Sequence, residues 1–341
     1  MKSEVIVLNE ERNVTLTAYL QEVGGEFQFA KRPAMLVLPG GGYAMCSDRE
    51  ADPVALSYSR AGYQTFVLRY TVGAACEWPM PLDDYEAAMA LIEQNAEAWH
   101  VDSARIAVVG FSAGGHLAAC TATVAKHKPA AAILVYAAIL PSIVDLCKPN
   151  MPYPNEHVDA ETCPCFLVAA RDDRLVDVTN TLEMELALAK NGIPFESHIY
   201  SYGGHGFSTA EKWIHGAIIS ERAPHWVADS IGWLKEIMGE LTPKGMTEPN
   251  LAVSRNCDTA PVLSVACSLK HLNTQGDEAK RVLKPLYDGI EMFAKAHGYS
   301  REALVKAVEN NTAFELLSTL GFEEGAIRAL DRELHKIVNV L

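Results

Sequence analysis

No apolar run in this sequence approaches the roughly 20 residues that a membrane-spanning helix needs, so no membrane partner is expected. A basic cluster is missing as well. The 29 Lys and Arg side chains face 43 Asp and Glu, a formal charge of −14, and such a surface disfavours nucleic acid. Nor does the start of the chain read as a secretory leader: Met1-Lys2-Ser3-Glu4-Val5 brings charge and strand-like alternation at once, and the expectation is a cytoplasmic protein. Metal-ligand spacing is absent too. Of the eight cysteines (46, 76, 120, 147, 163, 165, 257 and 267) only Cys163 and Cys165 stand close together, with no further Cys or His nearby at ligand spacing. No metal is therefore expected. Without a leader the cysteines read as free thiols, and the close pair as small buried residues entering a strand.

What is present is globular. Hydrophobic residues make up 49% and charged residues 21% of the 341, enough for one large domain and a small one. Val5–Leu8 and Val14–Leu20 read as strands, a candidate hairpin. From Met35 to Met238 short apolar strands alternate with helices. The strands are Met35–Leu38, Thr65–Leu68, Arg105–Val109, Ala132–Tyr136, Phe166–Ala170 and Pro194–Tyr200. The helices are Glu50–Ala61, Asp83–Trp99, Ala113–Val124, Asn180–Asn191 and His225–Met238. Apolar strands between amphipathic helices predict an α/β fold: a doubly wound, mainly parallel sheet with helices on both faces. Ligands in such sheets bind at the carboxyl ends of the strands.

Proline-rich residues 137–162 predict a cap beside that edge, and 71–81 another wall. Leu241-Thr242-Pro243-Lys244-Gly245 reads as a linker. The catalytic domain is thus expected over 1–240, and a small α-helical module over 246–341. In that module Val282, Leu283, Leu286, Tyr287, Ile290, Phe293 and Ala294 form one stripe. Ile327, Leu330, Leu334, Ile337 and Leu341 form another, and Ser300 reads as an N-cap. The stripes are expected to be the module's own core, with a homo-oligomer seam or a partner-docking face as the alternative.

Chemistry concentrates in four loops. Gly110-Phe111-Ser112-Ala113-Gly114 follows a strand and opens a helix. A turn that tight needs glycine on both sides and pushes the Ser112 hydroxyl outward at a helix N-terminus. A serine needs a base, and the base needs an orienting acid. His205, in Gly203-Gly204-His205-Gly206-Phe207, sits where flanking glycines let an imidazole fold back. Of the other histidines, His116 is carried away from the hydroxyl by its helix, and His215 and His225 lie in or beside helices. The acid belongs after Phe166–Ala170, where Asp172, Asp173 and Asp177 compete; Asp173 is the first choice. A residue not used as the acid is expected to shape the loop through hydrogen bonds to backbone. Amide donors for an oxyanion are expected from Gly41, Gly42 and Ala113. Pro39-Gly40-Gly41-Gly42 is no phosphate loop, since no Gly-Lys-Ser/Thr follows it.

Those four motifs, in that order, resemble the α/β-hydrolase superfamily over about residues 30–240. They are most similar to its small carboxylesterases of the acetyl-xylan-esterase-like and hormone-sensitive-lipase-like groups. The resemblance implies Ser112, Asp173 and His205 as the triad, and Gly41, Gly42 and Ala113 as oxyanion donors. Pro39 stands where the lipase-like group usually has histidine, which favours the xylan-esterase-like branch. Asp177 stands where a proline is common. The implied activity is hydrolysis of short-chain acyl esters, such as acetylated carbohydrates, through an acyl-enzyme and without a cofactor. Tyr43, Trp78 and Tyr153 are candidates to stack on sugar rings. A serine peptidase or amidase on the same fold, and an interaction protein acting through the helical tail, are the alternatives. The resemblance does not extend to the helical tail.

Overall fold

The computed structural model describes residues 1–216, 218–253, 258 and 260–340. Cys257 and Leu341, named above, lie outside the described residues. Met1–Pro249 and Asn250–Leu341 form two compact units.

The first unit is built on eight strands: β1 (Lys2–Asn9), β2 (Val14–Leu20), β3 (Arg32–Leu38), β4 (Gln64–Arg69), β5 (Val101–Phe111), β6 (Ala131–Val135), β7 (Cys165–Ala170) and β8 (Phe195–Tyr200). They form one sheet in the order β1-β2-β4-β3-β5-β6-β7-β8. The β1–β2 and β2–β4 pairs are antiparallel, and every later pairing is parallel. Sequence explains the difference. All seven residues of β3 are buried, as a parallel strand covered on both faces requires. Along β2 the buried Val14, Leu16, Ala18 and Leu20 alternate with half-buried Thr15, Thr17 and Tyr19, the pattern of a sheet covered fully on one face.

Six helices cover the sheet: α1 (Asp52–Arg60), α2 (Met80–Gln94), α3 (Ala113–Thr123), α4 (Pro141–Cys147), α5 (Thr179–Lys190) and α6 (His225–Met238). The two-residue period of β3 divides the interior. Leu36 joins a core with Ile92 of α2, Leu117 of α3 and Leu188 of α5. Met35 and Val37 join another with Tyr58 of α1 and Trp226 and Leu234 of α6. Each large apolar side chain so buried stabilises the fold by roughly 1.5–3 kcal/mol before entropy is counted. Every residue of α3 is buried, and its Gly and Ala residues let it lie close to the sheet.

One expectation is corrected. The stretch Leu241–Gly245 is not a linker. Leu241–Thr242 (β9) pairs with Gly245–Met246 (β10) as a hairpin, and Gln28 N–H donates to Pro243 O at 3.1 Å. Pro243 and Gly245 serve a turn held against the first unit, so the division falls at Pro249/Asn250 instead. The 137–162 segment, expected as a cap, is anchored in the core: Ile139, Ile143, Val144 and Met151 are buried there, and Asn180 Oδ1 accepts the N–H groups of Ile139 and Leu140.

The second unit is helical: α7 (Leu269–Leu272), α8 (Asp277–Val282), α9 (Lys284–His297), α10 (Arg301–Ala307), α11 (Ala313–Thr319) and α12 (Glu324–Leu334). Leu283, Leu286, Ile290, Ile327 and Leu334 meet in its interior, with Val282, Tyr287, Leu330 and Ile337 against them. Ser300 Oγ accepts Ala303 N–H, and Thr312 with Glu315 forms a capping box. Phe293 remains 38% exposed, outside that core.

Candidate active site

β5 ends at Phe111 and α3 begins at Ala113, so Ser112 alone makes the turn. Its φ of 53° and ψ of −114° lie in a region that side chains avoid, at a cost of about 1–3 kcal/mol. Close approach explains the glycines. A Cβ on Gly110 would stand 2.1 Å from Gly114 O, and one on Gly114 2.2 Å from Leu38 O. The elbow is thus pressed against the end of β3, whose register pairs Leu38 with Gly110.

β8 delivers the imidazole. Gly204 and Gly206 adopt φ of 62° and 77°, and His205 between them turns back over Ser112. Its Nε2 lies 2.9 Å from Ser112 Oγ, and its Nδ1 lies 2.7 Å from Asp173 Oδ2. A carboxylate only accepts, so Nδ1 carries the hydrogen and Nε2 accepts from the hydroxyl. Asp173 is 3% exposed, and its Oδ1 accepts Leu175 and Val176 N–H at 2.9 Å each. Its neighbour points elsewhere. Asp172 Oδ1 accepts Gly203 N–H at 2.8 Å and Gly204 N–H at 3.0 Å. Those bonds, that of Gly204 foremost, hold the Asp172 carboxyl below its usual range. Asp177 accepts Thr179 N–H at the start of α5. The three aspartates that compete in the sequence therefore do three different things, and Asp173 alone meets His205.

The amides lie at the same edge. A Cβ on Gly40 would come within 3.1 Å of Ser112 Cβ, so the Gly40–Gly42 loop adjoins the hydroxyl. Among the described residues, the N–H groups of Gly41, Gly42 and Ala113 meet no backbone or side-chain acceptor. They sit at the N-terminus of α3 or on the loop beside it, where partial positive charge collects.

The three aromatic candidates differ. The expectation for Tyr43 is corrected: the ring is 2% exposed, so no face is open to a sugar. Its hydroxyl donates to His116 Nδ1 at 2.7 Å. Trp78 and Tyr153 are half-buried and pack against the same core, and Tyr153 OH donates to the Asp145 carboxylate at 3.0 Å. Among the described residues, no cluster of three or more Cys, His, Asp or Glu could hold a metal, and no helix is long and apolar enough to cross a membrane.

His116, carried away from Ser112 by α3, ties Tyr43 to the 137–162 segment, because its Nε2–H donates to Pro152 O at 2.8 Å. Complete burial lowers its pKa to about 4 from 6.5, against the opposing pull of that bond. The sign follows. Between pH 6.5 and 4 the unfolded chain takes up a proton that the folded chain refuses, so stability falls as pH drops through this window. The wild type should lose about 2 kcal/mol more than His116→Gln between pH 7.5 and pH 5. Tryptophan fluorescence in urea reads this directly, since all five tryptophans belong to the first unit. Equal losses in the two proteins would remove His116 as the cause.

The sequence reading missed Glu50, Tyr136, Arg49 and Ser208, which link the loops behind the hydroxyl. Glu50 reads there as the start of a helix, whereas it ends a short 3-10 turn (Asp48–Glu50) ahead of α1.

The BD-FAE family matches residues 26–140. The chain is 40% identical to MGS-M1, an α/β-hydrolase enzyme from a Medee basin deep-sea metagenome library, whose crystal structure superposes with a TM-score of 0.65 over 70% of this chain and 98% of that one. It is 30% identical over 214 residues to endo-1,4-beta-xylanase B of Butyrivibrio fibrisolvens, covering 53% of this chain and 33% of that protein. It is 29% identical over 196 residues to an acetylxylan esterase of Xylanibacter ruminicola, covering 51% of this chain and 41% of that protein. The chain thus spans well under half the length of these two curated relatives. It belongs to the α/β-hydrolase superfamily.

Proposed function

We propose that this protein is a serine carboxylester hydrolase acting on short-chain acyl esters, acetylated carbohydrates foremost. The observation that carries the reading is the unbroken hydrogen-bond chain from Ser112 Oγ through His205 to Asp173, beside amides that meet no acceptor among the described residues. His205 Nε2 takes the Ser112 proton as Oγ attacks the ester carbonyl carbon. The carbonyl oxygen becomes an anion, and Gly41, Gly42 and Ala113 N–H donate to it. The imidazolium returns its proton to the departing alcohol, which leaves an acyl-Ser112. Water, deprotonated by His205, then releases the carboxylic acid and restores the serine. Asp173 stabilises the imidazolium in both halves without taking its proton.

The acetyl preference is supported by the likeness to an acetylxylan esterase and by Pro39, which departs from the lipase-like pattern. Trp78 and Tyr153 remain the aromatic candidates for the sugar side. The test is kcat/KM for p-nitrophenyl acetate, butyrate and octanoate, acetylated xylan and an aminoacyl p-nitroanilide. Acetate should exceed octanoate by about tenfold or more, a difference within the reach of pocket fit, and acetylated xylan should release acetate. Faster turnover of the anilide would make the protein a peptidase and end the esterase reading.

A further inference from the structure

Behind the amide loop lies an anion that the chemistry above does not use. Glu50 is 4% exposed. Its Oε2 accepts Gly40 N–H at 2.9 Å, and its Oε1 accepts the Tyr136 hydroxyl at 2.7 Å. The fit around it is tight, because a Cβ on Gly40 would stand 2.6 Å from Oε2. Tyr136 carries the connection onward. Its oxygen accepts Ser208 N–H at 2.9 Å, and its ring meets His205 edge-on, 4.9 Å between centroids. Ser208 Oγ then donates to Arg49 O at 2.6 Å, one residue before Glu50. The circuit closes the amide loop, the end of β6 and the His205 loop into one unit.

Donor counting favours the ionised form. Gly40 N–H and Tyr136 O–H both donate to the carboxyl, and Tyr136 already accepts from Ser208. A carboxylate, an acceptor at both oxygens, matches these two donors directly, whereas a proton between Glu50 and Tyr136 would turn the Tyr136 hydrogen away from its acceptor. Among the described residues, no cation lies within ion-pair distance of it. The charged and titratable groups that bear on it are His205, Arg49, Tyr136 and Tyr70. Burial pushes the Glu50 carboxyl upward, while the bonds from Tyr136 and Gly40 pull it back.

We infer that Glu50 is a positioning residue: it fixes the oxyanion loop to the His205 loop, and it is the second anion, after Asp173, that favours the imidazolium formed during turnover. The inference rests on the proposed triad chemistry and assigns a further residue to it. An anion left unpaired in the interior is costly at rest, and its interaction becomes favourable when His205 gains a proton. Catalysis benefits from just such a difference between ground and transition state.

The experiment compares Glu50→Gln and Tyr136→Phe with the wild type on p-nitrophenyl acetate, with the pH profile of kcat/KM and Tm for each. In Glu50→Gln the amide oxygen can keep Gly40 N–H while the NH2 turns to the Tyr136 oxygen, so the Tyr136 O–H loses its acceptor together with the charge. Its kcat should fall about 100-fold, the scale of one misplaced oxyanion donor, with KM within about threefold. Its acid limb should move to lower pH, because a histidine that loses a nearby anion titrates lower. Tyr136→Phe breaks the circuit but keeps the charge, so kcat should fall while the acid limb stays. A Glu50→Gln enzyme with wild-type kcat, or with a lowered kcat and an unmoved acid limb, overturns the inference. If Glu50→Gln does not fold, Tyr136→Phe with wild-type kcat overturns it alone. A wild type that turns over no ester brings down both readings, and failure of a fluorophosphonate to label Ser112 identifies that case.

Discussion

Replacing Ser112 by alanine is expected to lower kcat for p-nitrophenyl acetate by roughly 10⁴- to 10⁶-fold, the range seen when a triad nucleophile is removed. Among the described residues, Ser112 Oγ at 2.9 Å is the hydroxyl that His205 Nε2 meets. The fold should survive, because the residue makes the turn with its backbone: its N–H donates to Val135 O and its C=O accepts from His116 and Ala138. A second substitution separates strain from chemistry. At φ 53° a Cβ is unfavourable, so Ser112→Gly should be as inactive as Ser112→Ala and more stable by about 1 kcal/mol. On the proposed chemistry, a more stable Ser112→Gly would mean that the nucleophile is held at some expense of stability. Steady-state turnover and urea unfolding of the pair decide both points. Substantial activity in either variant would move the nucleophile elsewhere.

Asp173→Asn should cost about 10⁴-fold in kcat, and the structure supplies the reason. Asp173 Oδ1 already holds Leu175 and Val176 N–H, so in asparagine the oxygen stays there and the NH2 faces His205. Nδ1 must then accept, Nε2 carries the hydrogen, and the imidazole can no longer take a proton from Ser112. Asp172→Asn keeps an oxygen for Gly203 and Gly204 N–H, and the loop that carries His205 is retained. Its kcat should fall less than about tenfold, since neutral acceptors replace charged ones at modest cost. Turnover of the two variants at pH 8 provides the check. The reverse ranking would transfer the role to Asp172.

The two aspartates also mark how far a sequence carries. Ser112, His205 and the amide loop are legible because each holds or is flanked by glycines just after a strand, a local signal with a local cause. The choice between Asp172 and Asp173 is harder. It depends on which way consecutive side chains leave β7, and a shift of one residue reverses that. Glu50 is less legible still. Its bond to Tyr136 spans 86 residues, and neither residue stands in a distinctive motif. Tyr43 misleads for the opposite reason: an aromatic beside a glycine loop reads as a ligand contact, yet it is buried against His116. At Leu241–Gly245 a proline and a glycine fit a linker and a hairpin equally well, and only long-range contacts such as Gln28 to Pro243 decide.

The parts gathered at Ser112 leave strands β3, β5, β7 and β8, and β8 is the outermost strand on its side of the sheet. Half of its residues are exposed to solvent, and it has one neighbour instead of two. On the proposed chemistry, a sheet that has lost this last strand keeps its hydroxyl and amides and lacks its imidazole. Fraying at the rim, a low-cost opening for a sheet, is therefore expected to abolish turnover while the middle stands intact, and ester hydrolysis should fade at a lower urea concentration than the core unfolds.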